Sequence, residues 1–204
     1  MSTPSPRASR RQTPTGSASR WPQMRKLAAL LALVASPAAA TGLEIDVAGQ
    51  SNGTIRIDLL EDVAPGHVEQ ITALAREGAY DGVVFHRVID GFMAQTGDVE
   101  FGREGGDVSM AGMGGSERDD LDAEFSDIPF ERGTVGMARS QDPNSANSQF
   151  FIMFAPGDFL NGQYTVVGQV TEGLDVLDAI KRGEGPNGAV VGAPDVMSEV
   201  RVTE

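Results

Sequence analysis

The stretch Phe85-His86-Arg87-Val88-Ile89-Asp90-Gly91-Phe92-Met93-Ala94-Gln95-Thr96-Gly97-Asp98 decides how the rest of the chain is read. Val83 to Ile89 predicts a strand, and Gly91 to Gly97 a second, short one. Side chains alternate along a strand, so Phe85, Arg87 and Ile89 are expected on one face, with His86 and Val88 on the other. An Arg among apolar neighbours is costly unless it is paired or lies at a rim. Read locally, Arg87 is an ion-pair partner for one of the many carboxylates; the competing reading puts it at the edge of a site. His86 reads as a hydrogen-bonded core histidine rather than a base.

Working outward, Glu44-Ile45-Asp46-Val47 and Thr54 to Leu59 alternate polar and apolar, the period of half-buried strands. Asn52-Gly53 between them signals a hairpin. Pro65 to Glu77 predicts a helix: Pro suits the first turn, Val68, Ile71, Leu74 and Ala75 form one face, and Gly78 stops it. Residues 102–116 are Gly-rich and read as loop. Thr134 to Ala138, Gln149 to Phe154, Thr165 to Val170 and Val196 to Val202 predict further strands. Leu174 to Lys181 predicts a short second helix closed by Gly183. Many short strands with only two helices argue for a closed or sandwiched β architecture.

Several chemistries are excluded by composition. There is no Cys, hence no thiol nucleophile or thiolate metal site. No G-x-S-x-G elbow or phosphate-binding GK[ST] loop occurs, and His67 and His86 cannot form an HExxH site. Gly112-Met113-Gly114-Gly115 carries no dinucleotide signal, and no cofactor or metal is expected. Asp119-Asp120-Leu121-Asp122 and Glu124 read as a solvated acidic loop rather than a calcium site. What remains is Arg87, Gln95 beside Phe92 and Met93, and Asn147-Ser148-Gln149-Phe150-Phe151-Ile152, with Gln149 and Phe151 on one strand face. One Arg, two Gln and an apolar trough suit a reaction that breaks no bond. Rotation of a prolyl peptide bond is such a reaction, with a barrier of about 18–20 kcal/mol from amide conjugation.

These residues resemble the F-H-R-[VI]-I-x-G-F-M-x-Q-x-G-D signature of the cyclophilins, and Ser148-Gln149-Phe150-Phe151-Ile152 resembles their S-Q-F-F-I strand. Phe159-Leu160-Asn161-Gly162 and Val167-Gly168-Gln169-Val170 resemble the region that follows. The likeness runs from about Leu43 to Thr203 and is nearest to secreted bacterial members. It implies a mainly β fold, a closed eight-stranded antiparallel barrel capped by two α-helices. It also implies peptidyl-prolyl isomerase activity on flexible or unfolded proline-containing polypeptides. By the same resemblance, Arg87 donates to the prolyl nitrogen as its lone pair develops, and Gln95 orients Arg87 or the substrate carbonyl. Phe92, Met93, Phe151 and Leu160 hold the proline ring, main-chain groups near Ala138 and Arg139 hold the peptide, and Gln149 contacts it from the side. Thr96 stands where Gly is common, Arg139 where Asn is usual, Phe159 in the place of a pocket Trp and Tyr164 in that of a pocket His. The loop Ser140 to Asp142 is about one residue longer. Weak cyclosporin binding and a monomer are expected.

The 204-residue chain has a formal net charge of −13. Residues 1–40 carry six basic side chains and no acidic one, leaving 10 Lys and Arg against 29 Asp and Glu in residues 41–204, a net −19. So acidic a domain repels phosphate backbones, which argues against nucleic-acid binding. Residues 1–23 read as a disordered or untranslated extension. Met24-Arg25-Lys26, the apolar run Leu27 to Ala35 and Ser36-Pro37-Ala38-Ala39-Ala40 read as a signal peptide over 24–40, cleaved after Ala40 and directing residues 41–204 to the periplasm. No apolar run reaches the roughly 18 residues of a membrane-spanning helix. Two rival readings are a proline-binding chaperone module that needs no turnover and an acidic calcium-binding protein.

Overall fold

The computed structural model describes residues 41–204; the extension read over 1–23 and the signal peptide read over 24–40 lie outside the described residues. The strands are β1 (Gly42–Ala48), β2 (Gly53–Leu59), β3 (Val83–Val84), β4 (Arg87–Ile89), β5 (Met93–Thr96), β6 (Thr134–Met137), β7 (Phe150–Met153), β8 (Val166–Glu172) and β9 (Val196–Thr203). Two helices join them, α1 (Pro65–Arg76) and α2 (Leu174–Ala179). No helix among the described residues is long and apolar enough to cross a membrane. The strands form one antiparallel sheet in the order β3-β9-β1-β2-β8-β6-β7-β5-β4, curled into a half-barrel.

The closed eight-stranded barrel is therefore corrected to an open nine-stranded sheet. The cause lies in the opening stretch. The strand expected over Val83 to Ile89 breaks at Phe85-His86, and its halves, β3 and β4, become the two ends of the sheet. The Phe85 N–H still donates to the Asp195 carbonyl at 2.9 Å, one residue beyond the β3–β9 pairs, and the chain leaves β9 only after it to pair with β5 from Arg87. Loops cover the two free edges. Gly102 accepts from the Val84 N–H, while Gly183 and Val190 donate to the carbonyls of Val88 and His86. Edge groups are thus satisfied without strand closure. The break also resets the alternation. Phe85 joins Val88 in the main core rather than sharing a face with Arg87 and Ile89.

The main core fills the concave side, where Ile45, Ile55, Ile57, Phe150 and Ile152 meet Val68, Ile71 and Leu74 of α1. A second apolar cluster lies on the other face: Met93, Phe130, Phe151, Met153, Leu160 and Val166. This explains why all four residues of β7 are buried. Phe150 and Ile152 serve the main core, Phe151 and Met153 the second cluster. Gly136 of β6 permits that cluster, because a Cβ there would lie 2.5 Å from Phe130 and 2.6 Å from Phe151.

Helix α1 begins at Pro65 as read, but Ala64 at its N-cap offers no side-chain acceptor. The acceptor arrives from the acidic loop. The Glu124 carboxylate takes the N–H groups of Gly66 and His67 at 3.1 Å each, and His67 Nδ1 lies 2.5 Å from it. Burial tends to raise the Glu124 pKa, but the hydrogen bonds from His67 and the two N–H groups outweigh it and hold the carboxyl below its usual range. Glu124 is thus a helix cap supplied across 57 residues, not part of a solvated run.

Candidate active site

Strand pairing builds the polar part of the site. Arg87 of β4 lies opposite Gln95 of β5, and Gln95 lies opposite Phe151 of β7. Arg87 Nη1 donates to Gln95 Oε1 at 3.1 Å. Gln95 Nε2 donates to Gln149 Oε1 at 2.9 Å, and Gln149 Nε2 to the Gly114 carbonyl at 2.8 Å. On the other side, Arg87 Nε donates to the Asn187 carbonyl at 2.9 Å and Nη2 to Asn187 Oδ1 at 3.0 Å. The result is a continuous chain, Asn187–Arg87–Gln95–Gln149–Gly114.

Asp98, the last residue of the opening stretch, anchors the far end of that chain. It is fully buried, and its carboxylate accepts from the N–H groups of Glu100, Phe101, Gly112 and Gly114. A side chain at Gly114 would lie 2.6 Å from Asp98 Oδ1, so the loop can close on the carboxylate only with Gly there.

Every acceptor for Arg87 is an amide oxygen, and no ion pair among the described residues includes it. The carboxylate-paired Arg is thereby corrected. Partial burial draws the Arg87 pKa below the usual guanidinium value, yet a guanidinium stays charged at neutral pH. Of its five N–H donors, three are spent within the described residues and two remain.

The cavity beside Arg87 has a volume of about 260 Å³ and brings together ten of the residues singled out by sequence. Phe92, Met93, Phe151 and Leu160 supply apolar walls, Gln95 and Ala138 the polar edge, and Arg139, Phe159 and Tyr164 the rim. The eleventh, Gln149, lines an adjoining cavity of about 280 Å³ that shares Gln95, Ala138 and Arg139. Phe159 is 66 % exposed and tilts against Phe92 at 5.4 Å between ring centroids. Tyr164 stands edge-on to Phe151 at 5.8 Å, and the Arg139 guanidinium lies 4.3 Å over its ring. Arg139 also donates to the carbonyls of Gln163 and Ser140, so its side chain braces Tyr164 rather than entering the cavity. The Ala138 N–H is spent on the Gln149 carbonyl, and the Arg139 N–H beside it has no acceptor among the described residues.

Sequence reading missed Asn187. It adopts a left-handed backbone, φ 54°, inside a one-turn helix at Pro186–Gly188. Pro-Asn-Gly is a legible turn signal, but nothing local says that the turn lands on a residue 100 positions earlier. The His86 ring nitrogens are buried and make no hydrogen bond of good geometry among the described residues, although the Val84 backbone is near enough to favour the charged ring; burial is the larger effect and pushes its pKa down to about 4.

Comparison with known proteins follows the same lines. The family model "Cyclophilin type peptidyl-prolyl cis-trans isomerase/CLD" matches residues 43–202. A probable peptidyl-prolyl cis-trans isomerase of Brucella suis is 65 % identical over 142 residues, covering 68 % of this chain and 72 % of that one. Peptidyl-prolyl cis-trans isomerase B of Escherichia coli is 37 % identical over 139 residues, covering 64 % of this chain and 80 % of that one. Among solved structures, a cyclophilin from Hirschia baltica superposes with a TM-score of 0.63 at 28 % identity, covering 78 % of this chain and 72 % of its own. The family-model match across residues 43–202, together with the 65 % identity to the Brucella suis protein, shows that the chain belongs to the cyclophilin family: it is a peptidyl-prolyl cis-trans isomerase.

Proposed function

We propose that Arg87 is the catalytic group and that it acts on the twisted prolyl amide. Rotation removes conjugation, the prolyl nitrogen pyramidalises, and a lone pair forms that can accept a hydrogen bond only near the transition state. A donor fixed beforehand therefore binds the transition state better than either ground state. The observation that carries this reading is the Arg87 guanidinium, held by Asn187 and Gln95 without a carboxylate, beside a cavity with apolar walls that is large enough for a prolyl ring. Phe92, Met93, Phe151 and Leu160 enclose the ring. The Arg139 N–H and the Ala138 carbonyl hold the peptide backbone, with Gln149 at the side. Gln95 spends both ends of its amide on Arg87 and Gln149, so its part is to position Arg87 rather than to touch substrate.

The same proposal places the protein in the periplasm as a secreted bacterial isomerase that speeds folding of exported polypeptides. The support is the basic, apolar and small-residue order of residues 24–40. It acts as a monomer, without nucleic acid. Two measurements test the reading. Isomerisation of a proline tetrapeptide should be fast with the purified protein and slow with Arg87→Ala; equal rates overturn the role of Arg87. N-terminal sequencing of exported protein should begin near Thr41, and a cytosolic chain retaining Met24 defeats the location.

A further inference from the structure

The 10 basic side chains of residues 41–204 fall into two sets. Six pair with carboxylates. Arg87, Arg103, Arg139 and Lys181 bond instead to amide oxygens alone. Two of these four, Arg87 and Arg139, line the same cavity. Carboxylates are excluded from that whole face. The cavity of about 260 Å³ beside Arg87 and its two neighbours, of about 280 and 360 Å³, share Gln95, and no Asp or Glu lines any of the three. Acidic residues outnumber basic ones by 29 to 10 in the domain, yet the local balance at the site is reversed.

Arg139 holds the rim of this face. Its Nε and Nη2 donate to the Gln163 carbonyl at 3.3 and 2.8 Å, and its Nη1 to the carbonyls of Ser140 and Gln141 at 2.9 and 3.4 Å. The second N–H of Nη2 has no acceptor among the described residues. The guanidinium rests 4.3 Å from the ring centre of Tyr164, which itself lines the cavity, so the charge is fixed beside whatever the cavity holds. Neutral oxygens position it without cancelling it. Two like charges then border one cavity with no anion between them, and a carboxylate brought by the substrate would relieve that repulsion.

We propose that Arg139 is a specificity-determining residue, and that the protein prefers prolines with a carboxylate side chain one or two residues away. The proposal rests on the Arg87 cavity being the proline site, because that puts the flanking residues at the rim where Arg139 lies. The long-range field of a domain at −19 has the opposite sign and draws cationic chains. At physiological ionic strength that field is screened beyond about 8 Å, so the nearest charges decide.

The test uses the full-length protein and three blocked peptides, acetyl-Xaa-Ala-Pro-Xaa-amide, with Glu, Gln or Lys as Xaa. Turnover is read by exchange spectroscopy. The Glu peptide should show a kcat/KM about three- to fivefold above the Gln peptide, the size of one part-exposed ion pair, with the gain in KM. The Lys peptide should fall below both. Raising salt to about 1 M, where screening acts within about 3 Å, should bring the three together. In Arg139→Asn the ratio of Glu to Gln should drop to about one, and in Arg139→Lys it should persist; each ratio is internal to its variant, so a general loss of turnover does not blur it. Equal rates for the Glu and Gln peptides, or a preference for Lys, overturn the proposal. A Glu preference that survives Arg139→Asn or high salt does so too, and so does one lost equally in Arg139→Lys, which would make the brace on Tyr164 the cause. If Arg139→Asn fails to fold, the salt series on the unaltered protein still decides. Failure of the underlying reading shows elsewhere, as unchanged turnover of the Gln peptide in Arg87→Ala, so the two failures are separable.

Discussion

At the scale of one residue, the proposed mechanism depends on keeping the positive charge of Arg87 uncancelled. A carboxylate partner would satisfy Arg87 equally well and neutralise the field that a developing lone pair must feel; amide oxygens satisfy it without that loss. Arg87→Ala should lower kcat/KM by about 10²–10³, the size seen when one preorganised donor is lost, while the urea midpoint changes little. Arg87→Lys should rescue poorly, lacking the planar fork. Asn187 permits a sharper test. Asn187→Gly keeps the left-handed backbone and the carbonyl but loses Oδ1, one hydrogen bond worth about 1 kcal/mol, and kcat should fall about fivefold. Asn187→Asp keeps that acceptor and adds a charge, so kcat should fall further than with Gly. An Asp variant as active as wild type would mean that Asn187 supplies geometry alone. Phe159 governs a separate property. It has no N–H where the resemblance places an indole donor, so cyclosporin should bind about ten- to a hundredfold more weakly than to Trp-bearing relatives. Phe159→Trp should recover much of that affinity, measured by inhibition of turnover.

At the scale of elements, α1 is held in place by a loop that looks dispensable in the sequence. Removing the Glu124 carboxylate leaves two N-terminal N–H groups and His67 Nδ1 without their acceptor. Glu124→Ala should cost about 1–2 kcal/mol in urea unfolding, the range for a lost N-cap, with turnover preserved. Glu124→Gln, which keeps one acceptor oxygen, should cost less. The same contact shows what a sequence can and cannot disclose. Period-two alternation gave the positions of β1 and β2, because one face of each is apolar and one polar. The strands around the site were legible through their residue types: Gln95 of β5 and Gln149 just before β7, with β6 between them in the chain, do meet as the pattern implied. The break at Phe85-His86 was not legible, since both residues suit a strand and only the change of partner, from β9 before the break to β5 after it, divides them. Glu124 and Asn187 act on partners 57 and 100 residues away, and no local pattern encodes such a distance.

At the scale of the whole molecule, the open sheet is apolar on both sides of β5 and β7, with the main core beneath and the site cluster above. His86 sits where these layers meet, beside Arg87, with Asp98 the acidic charge that faces it and Asp107 lining the same cavity. Burial favours its neutral form; the Asp98 charge and the Val84 backbone oppose that effect and the Arg87 charge reinforces it, leaving a pKa of about 4. In the unfolded chain the ring titrates near 6.5. The folded state therefore binds fewer protons than the unfolded one between these values. Stability is full above about pH 6.5, falls as pH drops through that window, and levels off from this group below about 4. The loss at pH 5 should be about 2 kcal/mol relative to pH 7.5. Turnover needs no proton, since Arg87 stays charged throughout, so kcat/KM should be flat from about pH 6 to 8. His86→Phe should remove the slope of stability between pH 7.5 and 5 and leave the flat turnover profile in place. Urea midpoints across that range measure the first, and a tetrapeptide assay the second. A wild-type midpoint unchanged between pH 7.5 and 5 would show that His86 accepts its proton in the folded state. A bell-shaped rate profile lost in His86→Phe would make His86 part of the chemistry and Arg87 insufficient alone.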